Sequence, residues 1–240
     1  MRLVTLCLMI LLLGQGFGFS QIQTDQTKAI EIVNKVKANF LQLSDATMDV
    51  TMDYNIHFFG CSGKRRLTGK GYYQAPDRIK VTLNDVTYFA RGNKIRKIDE
   101  NGGKWYVKLL KAPDFTPGFH PGLITYNFDL SIIEENPDQI VIKGIPKTAM
   151  TKNVKNVLFY IDPKENLLRS LDVKFVNEKL DGTMKISYQK INGLWVPVKL
   201  EGQSAVMVAG RFLVGINLKL TGTNVKINNR LPSALFEPGF

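Results

Sequence analysis

The sequence predicts a mainly β chain: a curved antiparallel sheet with one long N-terminal helix. Three observations predict it. First, Met48, Val50, Met52, Tyr54, Ile56 and Phe58 are apolar, and every residue between them is polar. An extended chain sends successive side chains to opposite faces, so this stretch is a strand with one apolar and one wet face. Second, a single segment, Asp25 to Leu43, carries a clear helical period. Third, the remainder reads as short alternating runs divided by Gly, Asn, Asp and Pro turns.

The chain has 240 residues, which suits one domain, and 44% hydrophobic residues suffice for a packed core. Its start, Met1 to Leu13, is one positive charge followed by an apolar run, and Gly14 to Ser20 supplies small residues. This is the pattern of a secretory signal peptide, too short to span a bilayer, with cleavage expected near Ser20. Residues 1–20 are therefore read as a signal and 21–240 as a single exported, soluble domain. Cys7 lies inside the apolar run without a lipobox, so no lipid anchor is expected. Only Cys61 then remains, which rules out an internal disulfide, and it is expected to be a buried, inert thiol.

In the helix, Ile30, Val33, Val36, Phe40 and Leu43 are expected to face the core. After the strand at Met48–Phe58, a turn is expected at Gly60–Gly63. Strands follow at Arg65–Gln74, where Gly69 and Gly71 allow a bend or close packing, and at Arg78–Leu83, Val86–Arg91 and Lys94–Ile98. Lys104–Leu110 is a further expected strand, with Trp105, Val107 and Leu109 on one face. Ala112 to Leu123 contains three prolines with Phe115 and Phe119, which excludes a central strand. It reads as a loop folded over an apolar opening, a lid. Later strands are expected at Asn127–Ile133, Gln139–Ile145, Val154–Ile161, Leu168–Val176, Thr183–Lys190, Leu194–Glu201, Arg211–Leu220 and Asn224–Ile227. Asn192-Gly193 is a strong hairpin signal.

Catalytic patterns are missing from this sequence: it has no Gly-x-Ser-x-Gly, no His-Glu-x-x-His and no phosphate-binding loop. Two histidines, His57 and His120, make a poor metal set, so no metal, cofactor or enzymatic activity is expected. Asp49 and Asp53 are read as alternate positions on a wet face, and Trp105 and Trp195 as core residues. The formal net charge is +11, yet its only dense cluster is Lys64-Arg65-Arg66 on a hairpin. That pattern does not suit nucleic acid. It leaves a solvated surface, an acidic partner or an anionic membrane. Several methionines on strand positions, Met48, Met52 and Met184 among them, suit an adaptable apolar hollow.

The stretch Gly71-Tyr72-Tyr73-Gln74-Ala75-Pro76-Asp77-Arg78-Ile79-Lys80 resembles the periplasmic lipoprotein carrier (LolA-like) family. Tyr160-Ile161-Asp162-Pro163-Lys164-Glu165-Asn166-Leu167-Leu168 and Tyr188-Gln189-Lys190-Ile191-Asn192-Gly193-Leu194-Trp195-Val196-Pro197-Val198-Lys199 resemble its outer membrane lipoprotein-sorting branch. The resemblance spans nearly the whole chain after the signal. It implies an incomplete β-barrel with a helix and loop lid over an apolar concavity, in a periplasmic monomer. The implied guest is a lipid or lipoprotein acyl chain, received from an inner-membrane donor and passed to an outer-membrane acceptor. The alternative on the same fold is a sensor or scaffold that binds an exported protein. The expected cavity is lined by Val50, Met52, Tyr54, Ile56, Phe58, Tyr73, Val81, Trp105, Val107, Met184 and Ile186, with Phe115 and Phe119 in the lid. In the family an arginine commonly precedes the strand-ending proline and ties down the lid. Here Ala75 stands there, and Arg78 follows the proline.

Overall fold

The computed structural model describes residues 25–58, 61–84, 86–91, 94–99, 123–147, 154–177, 180–208 and 212–237. A helix, α1, runs over residues 25–41. Twelve strands follow: β1 (Asp45–Phe58), β2 (Cys61–Gln74), β3 (Arg78–Leu83), β4 (Val86–Arg91), β5 (Lys94–Asp99), β6 (Phe128–Glu135), β7 (Ile140–Pro146), β8 (Val154–Asp162), β9 (Leu167–Phe175), β10 (Asp181–Ile191), β11 (Leu194–Val208) and β12 (Phe212–Ile227). A one-turn helix, α2 (Ile124–Asn127), leads into β6, and a 3-10 turn at Ser233–Phe236 follows β12.

All twelve strands belong to one sheet in the order β5-β4-β3-β2-β1-β12-β11-β10-β9-β8-β7-β6. Every paired neighbour is antiparallel. Apart from β1 against β12, neighbours in space are neighbours in sequence, as expected of a meander. The sheet is not closed: among the described residues its two edges, β5 and β6, pair with no further strand. The expected strand at Lys104–Leu110 and the loop carrying Phe115 and Phe119 lie outside the described residues.

Turn chemistry fixes the local geometry. Asn192 and Gly193 both adopt positive φ, 48° and 83°, as a two-residue hairpin turn between Ile191 and Leu194 requires. The expected separate strands Arg211–Leu220 and Asn224–Ile227 are one strand, β12. Its continuity survives the Gly-Thr-Asn stretch because the register against β1 shifts between Thr47 and Asp49, a bulge that absorbs the surplus residue. Asn224 takes φ 52° there, and its amide donates to Asp49 Oδ2 at 2.7 Å. Pro197, inside the central strand β11, also sits beside a register shift, a place where a strand tolerates proline.

Three expectations about local structure need correction. The turn expected at Gly60–Gly63 is shorter: Phe58 pairs with Cys61, and Cys61 to Gly63 already belong to β2. Cys61 is therefore exposed on a hairpin, not buried. The helix faces the core through Val33, Val36, Phe40 and Leu43 as expected, but not through Ile30. Ala29, Ile32, Val33 and Val36 are buried, while Ile30 is 36% exposed. Ala29 and Ile32 take buried positions on the first cluster in place of Ile30.

The core divides into three clusters along the apolar face. In the first, α1 lies on β6 to β9, packing Ala29, Ile32, Val33 and Val36 against residues such as Phe128, Ile142, Phe159 and Leu171. The Phe128 and Phe159 rings meet edge to face at 5.5 Å, and a Cβ on Gly144 would collide with both. The second cluster, around Leu43, Ala46, Tyr73, Val196 and Ile227, receives the helix end through Phe40, whose ring lies 5.0 Å from that of Tyr73. The third, among the described residues, is formed by sheet residues.

Candidate functional site

The third cluster is built by the strand that alternates most cleanly. Val50, Met52 and Tyr54 of β1 are buried with Leu83 of β3, and Met48, Ile56, Leu67, Val81, Tyr88, Leu218 and Leu220 pack against them. Register explains the grouping. Met52 stands between Leu67 of β2 and Leu220 of β12, and Tyr54 stands beside Leu218. Met48 has its own clearance between two glycines. A Cβ on Gly222 would meet its Sδ at 2.6 Å, and one on Gly71 would meet its Cγ at 3.2 Å and Val50 Cγ2 at 2.8 Å. This gives Gly71 the close-packing role its position in β2 suggests. No residue of α1 belongs to this cluster. A helix of this length spans about 25 Å at ~1.5 Å per residue. Twelve strands at ~4.8 Å spacing make a sheet roughly twice as wide.

The expected cavity residues are distributed over all three clusters. Val50, Met52, Tyr54, Ile56 and Val81 are brought together in the third. Tyr73 is in the second, against Phe40 and Leu43. Met184 and Ile186 of β10 lie against the first. Phe58 ends β1, but its side chain lies outside the described residues, as do Trp105, Val107, Phe115 and Phe119. Met48, Leu67, Leu83, Tyr88, Leu218 and Leu220 complete the third cluster and were absent from the expected lining. Leu218 and Leu220 carry the same alternation as β1. Their place beside it depends on the first and last strands pairing, which alternation alone does not report.

The opposite face of the same strands is polar and regular. Arg66, Asp53, Lys219, Glu201 and Lys185 occupy one row across β2, β1, β12, β11 and β10, alternating in charge. Arg66 forks onto Asp53 at 2.6 and 3.1 Å, and Lys199 reaches Glu201 at 2.8 Å. One rung on, Lys64, Asn55, Asn217, Gln203 and Thr183 form a second row. An open trough of about 890 Å³ runs over these two rows. His57 is exposed beside it, with Nε2 2.9 Å from Asn55 Nδ2 and 3.3 Å from Asn217 Nδ2.

These carboxylates are held ionised. The hydrogen bond from Arg66 keeps Asp53 below the ordinary carboxylate range, and that from Lys70 does the same for Asp49. Lys199 lowers Glu201 in the same way. Among the described residues no group of three His, Cys, Asp or Glu is placed to hold a metal. Trp195 also belongs to the wet side rather than the core. It is partly exposed, donates from Nε1 to Glu165 Oε2 at 2.9 Å, and carries Lys190 over its ring, while its neighbour Val196 takes the fully buried position.

An open antiparallel meander with one helix laid across part of its apolar face matches solved structures over nearly its whole length. The fold is LolA-like. A LolA superfamily protein from Nitrosomonas europaea superposes with a TM-score of 0.58 at 11% identity, covering 87% of this chain and 96% of its own. An outer membrane lipoprotein-sorting protein domain from Vibrio parahaemolyticus gives 0.59 at 12% identity, with 88% and 97% covered. A DUF1329 family protein from Desulfovibrio piger gives 0.58 at 13% identity, with 89% and 98% covered. No protein-family model and no curated protein matches the chain at the level of sequence. At these identities the likeness is one of fold. Within the LolA-like fold, the third cluster is the part of the apolar face that α1 leaves to other cover. No helix among the described residues is long and apolar enough to cross a membrane.

Proposed function

We propose that this protein is an exported carrier that holds the acyl chain of a lipid or lipoprotein against the apolar face of its sheet. The observation that carries the reading is the third cluster: a contiguous apolar patch on β1, β2, β3, β4 and β12 whose centre, Val50, Met52, Tyr54 and Leu83, is buried without any residue of α1, so that a guest there takes the place of the chain's own cover. An acyl chain laid there gains about 0.8 kcal/mol for each methylene removed from water. A dozen methylenes therefore exceed the ordering cost of association. Met48 and Met52 give the surface a lining that adjusts to guests of different length and branching. Handover needs a cover that opens, a role assigned to the segment bearing Phe115 and Phe119. The names of the lipoprotein-sorting and LolA superfamily structures support the same reading through the shared fold.

Native mass spectrometry of protein purified without detergent tests this. A co-purifying species with the mass of a diacyl lipid or lipoprotein fragment is expected. Apo protein that also fails to take up a fluorescent long-chain fatty acid would remove the proposal.

A further inference from the structure

Strand β2 is paired unequally on its two sides. Against β1 it is paired along its whole length, from Phe58↔Cys61 to Asp45↔Gln74. Against β3 it is paired only from Gly69 to Gln74. The end of β3 closes the ladder there: Asn84 N donates to Thr68 O, and Thr68 N donates to Asn84 Oδ1, both at 3.0 Å. Among the described residues, Cys61 to Leu67 therefore has a strand on one side only. Every residue from Cys61 to Arg66 is exposed. A Cβ placed on Gly63 would meet nothing within 4 Å.

An open edge exposes alternate backbone N–H and C=O groups ready to pair with another extended chain. Cations on an edge commonly guard against such pairing. This edge carries Lys64, Arg65 and Arg66 in succession and no carboxylate. Arg66 is tied to Asp53, and Lys64 has no carboxylate partner among the described residues. A guard of one sign is selective. A second copy pairing antiparallel here would set cations against cations, which opposes self-association. An acidic strand would meet the exposed ammonium of Lys64 on the side of the polar trough, within a run that holds no carboxylate of its own.

We infer that Cys61–Leu67 is a docking edge that takes an acidic, extended polypeptide segment of about seven residues as an added strand, the mode called β-augmentation. Main-chain hydrogen bonds supply the pairing, and the net positive run headed by Lys64 favours an acidic partner and speeds its approach. The edge shares Leu67 with the acyl-chain surface, whereas Lys64 lies on the opposite, polar face, so Lys64→Glu tests this assignment separately from the carrier reading.

The test uses the exported chain and a fluorescein-labelled heptapeptide, Val-Glu-Glu-Glu-Val-Glu-Val. Saturable binding is expected, with slowed amide exchange confined to Cys61–Leu67. Replacing the peptide's Glu with Lys, or methylating its backbone nitrogens, abolishes it. Lys64→Glu together with Arg65→Glu weakens it at least about tenfold, and Lys64→Glu alone, at an exposed site, does so partially with an unchanged melting temperature. The inference fails if the peptide does not bind, or if the backbone-methylated peptide binds equally well. It also fails if protection appears elsewhere, or if phosphatidylglycerol vesicles are bound while the peptide gives no protection.

Discussion

Truncating one side chain in the third cluster and one in the first separates a guest-holding surface from an ordinary core. Met52 is 8% exposed and stands between Leu67 and Leu220, whereas Leu171 is 1% exposed beneath α1. Leu171→Ala removes a filled core contact and is expected to cost about 2–5 kcal/mol of stability. Met52→Ala takes away three heavy atoms and falls at the lower end of that range, about 2 kcal/mol. The two variants part when a long-chain fatty acid is added. A bound guest stabilises the folded state according to its concentration over Kd. Losing contact with about two methylene equivalents weakens the guest by about 1.5 kcal/mol, roughly tenfold in Kd. Thermal melts with and without saturating fatty acid, beside a displacement assay with a fluorescent analogue, report both quantities. Leu171→Ala should keep the full lipid-induced rise in Tm, and Met52→Ala should lose part of it. Equal loss in both variants, or no rise in the unmodified protein, would refute the reasoning.

Further expectations concern the lid, the anchors and the charges. Phe119→Asp should speed loss of bound lipid while leaving the melting temperature in place, and unchanged retention counts against the lid assignment. Asp45 is buried at 3% exposure and accepts from the backbone N–H groups of Asn229 at 2.7 Å and Arg230 at 2.9 Å. Asp45→Ala orphans both donors and should cost about 2–4 kcal/mol, read by urea denaturation. A loss below about 0.5 kcal/mol would show that the segment is held otherwise. Gly69→Ala would drive a Cβ into the Thr82 carbonyl, a backbone atom that cannot yield, and should cost more than about 2 kcal/mol. Gly63→Ala, at an open site, is the control. Asp49, Asp53, Asp162 and Glu201 have folded pKa values below their ordinary ones. Their contribution to stability is complete above about pH 5 and is lost as pH falls through the lowered values. Melting temperature should therefore hold from pH 7 to 5 and drop toward pH 3, and a flat profile to pH 3 would contradict the ion pairs.

The alternation of Met48 to Phe58, the Asn192-Gly193 turn and the 3.6 period of α1 are written within a few residues of themselves. A strand face, a hairpin and a helix were therefore legible without any partner. The same holds for the acidic pair Asp49 and Asp53, whose spacing of four in a strand sets both on the wet side. Tertiary structure decided what each face meets. Pairing of β1 with β12 joins residues more than 150 positions apart and brings Leu218 and Leu220 to Met52 and Tyr54. No local period encodes that partner. Packing also chose Ile32 over Ile30 for burial, set Trp195 outward and Val196 inward, and left Cys61 exposed on an edge that β3 is too short to cover. Local sequence fixes which side chains share a face, because backbone geometry repeats every two or 3.6 residues. What covers that face depends on contacts between distant segments, and only the folded chain supplies them.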